Sequence, residues 1–105
     1  MRTKNETQKY VVKLKSPMGW VTVEVTVQMD TDLSFHGRAK LMGLTADYQN
    51  GVTDGHNYSF EIDIKLPFGP LHVAINADVD ENGVVTGTGC VPRRKPMEIK
   101  GEQVA

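Results

Sequence analysis

The chain has 105 residues, and its 12 Lys and Arg against 13 Asp and Glu leave a formal net charge of −1. That length suits one domain, and the near-neutral balance speaks against bulk binding to nucleic acid or to an anionic membrane, which wants a basic excess. The single Cys excludes an internal disulfide framework and a Cys-rich zinc site, and no apolar run approaches the roughly 18 residues of a membrane-spanning helix.

Residues 1–8 are polar and read as an extended N-terminal segment ahead of one domain over 9–105. They hold no apolar signal-peptide core, so the expected compartment is cytoplasmic. From there on the chain alternates with period 2, the mark of half-buried strands. A strand is predicted over 9–15, closed by Ser16–Gly19. The next, 20–29, sets Val21, Val23, Val25, Val27 and Met29 on one face against Trp20, Thr22, Glu24, Thr26 and Gln28 on the other. Asp30–Asp32 turns the chain into 33–42, Gly43–Leu44 into a short polar strand over 45–49, and Asn50–His56 into 57–66. Strands over 70–79, 84–91 and 96–103 follow, separated by Pro67–Gly69, Asp80–Gly83 and Pro92–Lys95. No helical stripe is sustained, and short connections make consecutive strands antiparallel neighbours.

The pattern repeats at an offset of 50: Pro17 aligns with Pro67, Gly19 with Gly69, Asp30 with Asp80, Gly37 with Gly87 and Gly51 with Gly101. Apolar positions between these anchors match as well, such as Val12 with Ile62 and Val23 with Val73. Two related halves, about 9–55 and 59–105, are expected. Eight strands with one apolar face favour a closed up-and-down antiparallel β-barrel, because closure removes exposed edges. A two-sheet β-sandwich is the alternative.

An inward apolar face would be almost wholly hydrocarbon. It comprises Val12, Leu14, the five apolar residues of 21–29, Leu33, Phe35, Ala39 and Leu41, then Phe60, Ile62, Ile64, Leu66, Leu71, Val73, Ile75, Val85, Met97 and Ile99. Gly37, Gly87 and Gly89 face the same way, with Gly37 expected opposite Val25 and Gly87 opposite Ile75. Such glycines make room for bulky neighbours or let strands bend, and could also floor a cavity. No carboxylate or histidine points inward, so a buried acid–base site is not expected.

Alternate turns gather at opposite ends. One end collects Met18, Trp20, Met42, Leu44 and Phe68, with Arg93 and Arg94 beside them; the other collects Asp30, Asp32, Asp54, Asp80 and Glu81. Turns are ordinarily polar, so the apolar end asks for an explanation. Three stand open: a plug that seals the barrel, a docking surface for a second subunit or neighbouring domain, and the mouth of an apolar pocket with an Arg for an anionic head group. Asp30-Thr31-Asp32 and Asp80-Glu81-Asn82-Gly83 supply oxygen ligands in the manner of a calcium site, but the twelve-residue EF-hand pattern is absent and these strings are ordinary turns. No metal and no cofactor is expected.

On the outer faces, Lys13, Glu24 and Arg38 are expected to form a charge ladder. Lys65, His72 and Cys90 should align in the second half, where a thiol beside imidazole would lack the pocket a nucleophile needs. The Asn-x-Ser/Thr triplets at Asn5 and Asn57 are read as idle, and Arg93-Arg94-Lys95 as a solvated turn.

Leu14-Lys15-Ser16-Pro17-Met18-Gly19 and Gly83-Val84-Val85-Thr86-Gly87-Thr88-Gly89 resemble strings in a family of small, uncharacterised bacterial β-barrel domains of calycin-like (lipocalin/streptavidin-type) architecture. The resemblance covers most of 9–104 and implies an eight-stranded barrel. Its motifs are turn and glycine patterns, so it carries no functional residues. The expected function is a non-catalytic binding or interaction domain that uses Met18, Trp20, Met42, Leu44, Phe68, Arg93 and Arg94 at the apolar end for a partner, a second copy or a small hydrophobic ligand. The alternative is a small barrel enzyme of the cyclase or isomerase kind, with a hydrophobic substrate at the mouth.

Overall fold

The alternation of β-branched and polar residues produces eight strands: β1 (Thr7–Ser16), β2 (Gly19–Met29), β3 (Ser34–Leu41), β4 (Leu44–Thr53), β5 (Asn57–Leu66), β6 (Gly69–Val79), β7 (Val84–Cys90) and β8 (Met97–Gln103). The structure is a computed structural model that describes residues 7–16, 19–41, 43–66 and 69–105. Every neighbouring pair is antiparallel and spatial order follows chain order. β8 returns to β1 through Tyr10↔Gln103 to Leu14↔Ile99, which closes the barrel and excludes the sandwich. Beyond that ladder the C-terminal residues continue the closure, with Val104 N donating to Lys9 O at 2.8 Å and Lys9 N donating to Ala105 O at 3.1 Å.

Pairings in the first half recur 50 residues on. Val12↔Val23 matches Ile62↔Val73, Val27↔Gly37 matches Ala77↔Gly87, and Phe35↔Gly51 matches Val85↔Gly101. Tight turns support this: Ser16↔Gly19 and Leu66↔Gly69 each close a two-residue connection, and Gly19 and Gly69 take φ of 112° and 132°, a region open chiefly to glycine.

Gly37 lies opposite Val27, not Val25, and Gly87 opposite Ala77, not Ile75. The cause is turn length. Asp30 N and Thr31 N both donate to Ser34 O, so the β2–β3 turn takes up Leu33, and Asp80 N donates to Val84 O in the second half. Leu33, expected inside, is therefore 64% exposed. The β1–β2 and β5–β6 hairpins turn one residue earlier than expected, which also reassigns outer neighbours. Lys13 faces Thr22 and Lys100, Glu24 faces Lys40, and Arg38 faces Thr26 and Asp47, so the Lys13–Glu24–Arg38 ladder does not form. His72 faces Asp63, Lys65 faces Pro70 and Cys90 faces Ala74, so those three do not align either. Each shift is two residues, which leaves the side chains within the paired strands on their predicted faces, while Leu33 leaves the strand for the turn.

Two boundaries differ by more than one residue. β1 begins at Thr7, with Gln8 buried, inside the segment expected to precede the domain. β4 continues to Thr53 because the Asn50-Gly51 pair, read as a turn, is a bulge within the strand: Asn50 has φ 61°, and β3–β4 register slips between Phe35 and Gly37.

Apolar side chains face the inside and charged ones the outside, the reverse of a membrane-spanning barrel. No helix among the described residues is long and apolar enough to cross a membrane. Gly37 and Gly87 are matched structural devices. A Cβ on Gly37 would enter the Thr26 carbonyl, and one on Gly87 the Asn76 carbonyl, 50 residues apart. Backbone cannot yield as a side chain end can, so Gly87→Ala is expected to lower unfolding free energy by about 2–3 kcal/mol in urea titration. The outward neighbour Thr86→Ala should stay within about 0.5 kcal/mol of the parent.

Candidate functional site

The barrel interior is packed unevenly along its axis. At the end where the acidic turns lie, Phe35 is 0% exposed and is the hub of an aromatic cluster. Its ring meets Tyr48, Tyr58 and Phe60 edge-on at centroid distances of 5.9, 5.4 and 6.0 Å, and Tyr48 stacks on Phe60 at 4.0 Å. Gly51 makes this possible, since a Cβ there would lie 2.5 Å from the Phe35 ring. The polar tips are satisfied. Tyr48 donates its hydroxyl to Thr26 O at 2.8 Å, across the gap that Gly37 leaves, and Tyr10 and Tyr58 both donate to the buried Gln8 Oε1, at 2.8 and 3.5 Å. Burial, with a smaller contribution from Tyr10, pushes the Tyr48 hydroxyl well above its ordinary pKa, so it stays a donor.

Toward the apolar turn end the filling is aliphatic and incomplete. A cavity of about 100 Å³ runs along the barrel, and all eight strands line it. Its walls include Leu14, Val23, Leu41, Leu44, Ala46, Ile64 and Ile75, which are half-buried although they face inward. Among the described residues the lining is almost all carbon; Tyr10 is the one with a side-chain heteroatom, and that hydroxyl is engaged by Gln8. A dry apolar cavity of this scale takes small apolar guests such as benzene or xenon.

Of the seven residues expected at the apolar end, Leu44 lines this cavity. Trp20 stands on the outer wall, 48% exposed, with Lys15 Nζ 5.9 Å from its ring centroid. Arg93 and Arg94 are exposed in the β7–β8 turn, where Arg93 adopts φ 66° and Arg94 N donates to Val91 O. Met18, Met42 and Phe68 lie outside the described residues, as does the side chain of Leu66. The structure thus brings Leu44 to the cavity and sets Trp20, Arg93 and Arg94 on the surface.

The acidic end spends its carboxylates locally. Asp54 Oδ1 accepts from the amides of His56 and Asn57, Asp80 Oδ1 from those of Asn82 and Val84, and Asp30 pairs with His36 Nδ1 at 2.7 Å. No group of three His, Cys, Asp or Glu side chains is placed to hold a metal ion among the described residues. The exposed hydrophobic residues Leu33 and Val52 lie near this end, a feature that the alternation did not forecast.

On the outer face of β5–β6, His72 is clasped between two carboxylates, Nδ1 to Asp63 at 2.6 Å and Nε2 to Glu61 at 2.8 Å. Both ring nitrogens donate in the protonated form.

No family model, curated protein or solved structure matches this chain.

The His72 clasp makes a checkable statement. Its hydrogen bonds to Asp63 and then Glu61 raise the imidazole pKa above its ordinary value. A raised folded pKa stabilises the fold fully below the unfolded histidine pKa of about 6.5, and that contribution is lost as pH rises through the folded value. In an NMR titration the His72 ring should titrate above a free histidine, and Asp63→Asn should lower its midpoint. A midpoint that Asp63→Asn leaves unmoved would show that the clasp does not form.

Proposed function

We propose that this chain is a non-catalytic binding domain that holds a small hydrophobic ligand inside the barrel, toward its apolar turn end. The cavity of about 100 Å³ with its hydrocarbon lining is the observation that carries this reading. The size limits the guest. Pockets for drug-sized molecules run to roughly 300–1,000 Å³, so this one suits a small ring or a short alkyl group. At about 0.8 kcal/mol per buried carbon unit, six carbons give about 5 kcal/mol, which is a sub-millimolar dissociation constant.

The chemistry of the lining favours binding over catalysis. An acid–base reaction needs a titratable group at the reacting atom. Along the described lining the only candidate is the Tyr10 hydroxyl, which Gln8 engages. A second reading, docking of a protein partner at the same end, has the exposed indole of Trp20 in its favour.

Benzene tests the cavity. At ten times its dissociation constant, binding to the folded state alone adds about 1.4 kcal/mol, a rise in melting temperature of roughly 5–10 °C for a domain of this size. Ala46→Leu, which fills the cavity from β4, should abolish the rise while the protein still melts cooperatively. The absence of any benzene effect on the parent protein would overturn the reading.

A further inference from the structure

The barrel wall is not uniform. Among the described residues, seven of its eight neighbouring strand pairs share five to ten register positions. β4 and β5 share two, Val52↔Ser59 and Thr53↔Tyr58, although each strand has 10 residues. The ladder stops at the bulge marked by Asn50 and does not resume. Bulges twist their strand and end pairing in this way. The unpaired stretch runs from the bulge to the apolar turn end, so it is continuous with the half-buried inward residues there.

The two strands stay side by side, and the side chains on the two lips account for the short ladder. Asp47 projects outward from β4, and Glu61 and Asp63 from β5. Like charges on facing strands disfavour pairing. Each of these carboxylates is drawn away from the seam: Asp47 to Arg38 on β3 at 2.7 Å, and Glu61 and Asp63 to His72 on β6. Lys65 is the one cation on either lip, at the far end of β5. Behind the lips, Leu44 and Ala46 from β4 and Phe60, Ile62 and Ile64 from β5 all line the cavity. The seam is therefore the side wall of the cavity and the stretch of wall with the fewest ladder pairs.

We propose that the β4–β5 seam is a lateral portal through which the apolar ligand reaches and leaves the cavity. This rests on the cavity reading above. Parting the lips breaks no register pair between Leu44 and the bulge, whereas passage between any other two strands would break a ladder.

Two measurements decide it. In amide hydrogen exchange on the ligand-free protein, amides of β4 and β5 that face the seam should exchange at least about tenfold faster than those of the same strands that face β3 and β6. Equal protection on both sides would overturn the portal. With fluorobenzene as the probe, fluorine NMR exchange between free and bound states should slow about tenfold in Asp47→Lys, which replaces repulsion across the seam by attraction. The dissociation constant should stay unchanged, since a gate alters both rates alike. An exchange rate equal to that of the parent would overturn the proposal. Glu61→Lys makes the same change from the other lip if Asp47→Lys does not fold. If the parent binds no fluorobenzene, the cavity reading fails, and hydrogen exchange still decides the seam.

Discussion

The ring of Phe35 sits in the space that Gly51 leaves, and the rest of the interior is arranged around that contact. Three more aromatic rings close on it from β4 and β5, and together they pack the β3–β5 side of one end of the barrel. Toward the other end the described lining is Val, Leu, Ile and Ala, whose smaller volumes do not meet across the axis of an eight-stranded barrel. The cavity is thus the complement of the plug.

The two halves share their pairing at an offset of 50 and differ where the plug and the seam lie. Phe35 corresponds to Val85, which lines the cavity instead of filling it. Tyr58 corresponds to Gln8, and the two meet at the closed end through the Tyr58 hydroxyl. The seam follows the same logic. β1 and β8 pair over five positions, but the corresponding β5 and β4 pair over two, because the Asn50 bulge has no counterpart in β8. A nearly symmetric shell with one modified half gives a barrel with an aromatic cluster toward one end and a short ladder along one side.

Most of the shell was legible. Alternation in β2, β5 and β6 is strict, so face, order and closure follow from apolar pattern and short turns alone. Register was legible only to within two residues, because it depends on which amide a turn carbonyl takes up. The Ser34 carbonyl accepting from both Asp30 and Thr31 leaves no trace in the apolar pattern, and Leu33 is misplaced for that reason. β4 was the least legible. Its sequence, LTADYQNGVT, does not alternate cleanly, and Asn-Gly is a stronger turn than bulge indicator. Tyr48 and Gly51, which complete the plug, were hidden with it. Of the expected site, Leu44 stands at the cavity; the cavity's wall comes from residues read as plain core, since alternation identifies which side chains point inward but not how well they fill the space.

Diffraction from a crystal held under xenon gas tests the uneven filling most directly. The account predicts one xenon site inside the barrel, among Val23, Ala46, Ile64 and Ile75, with the rings of Phe35, Tyr48 and Phe60 unmoved. An interior that takes up no xenon, or a xenon atom seated among those rings, would contradict it.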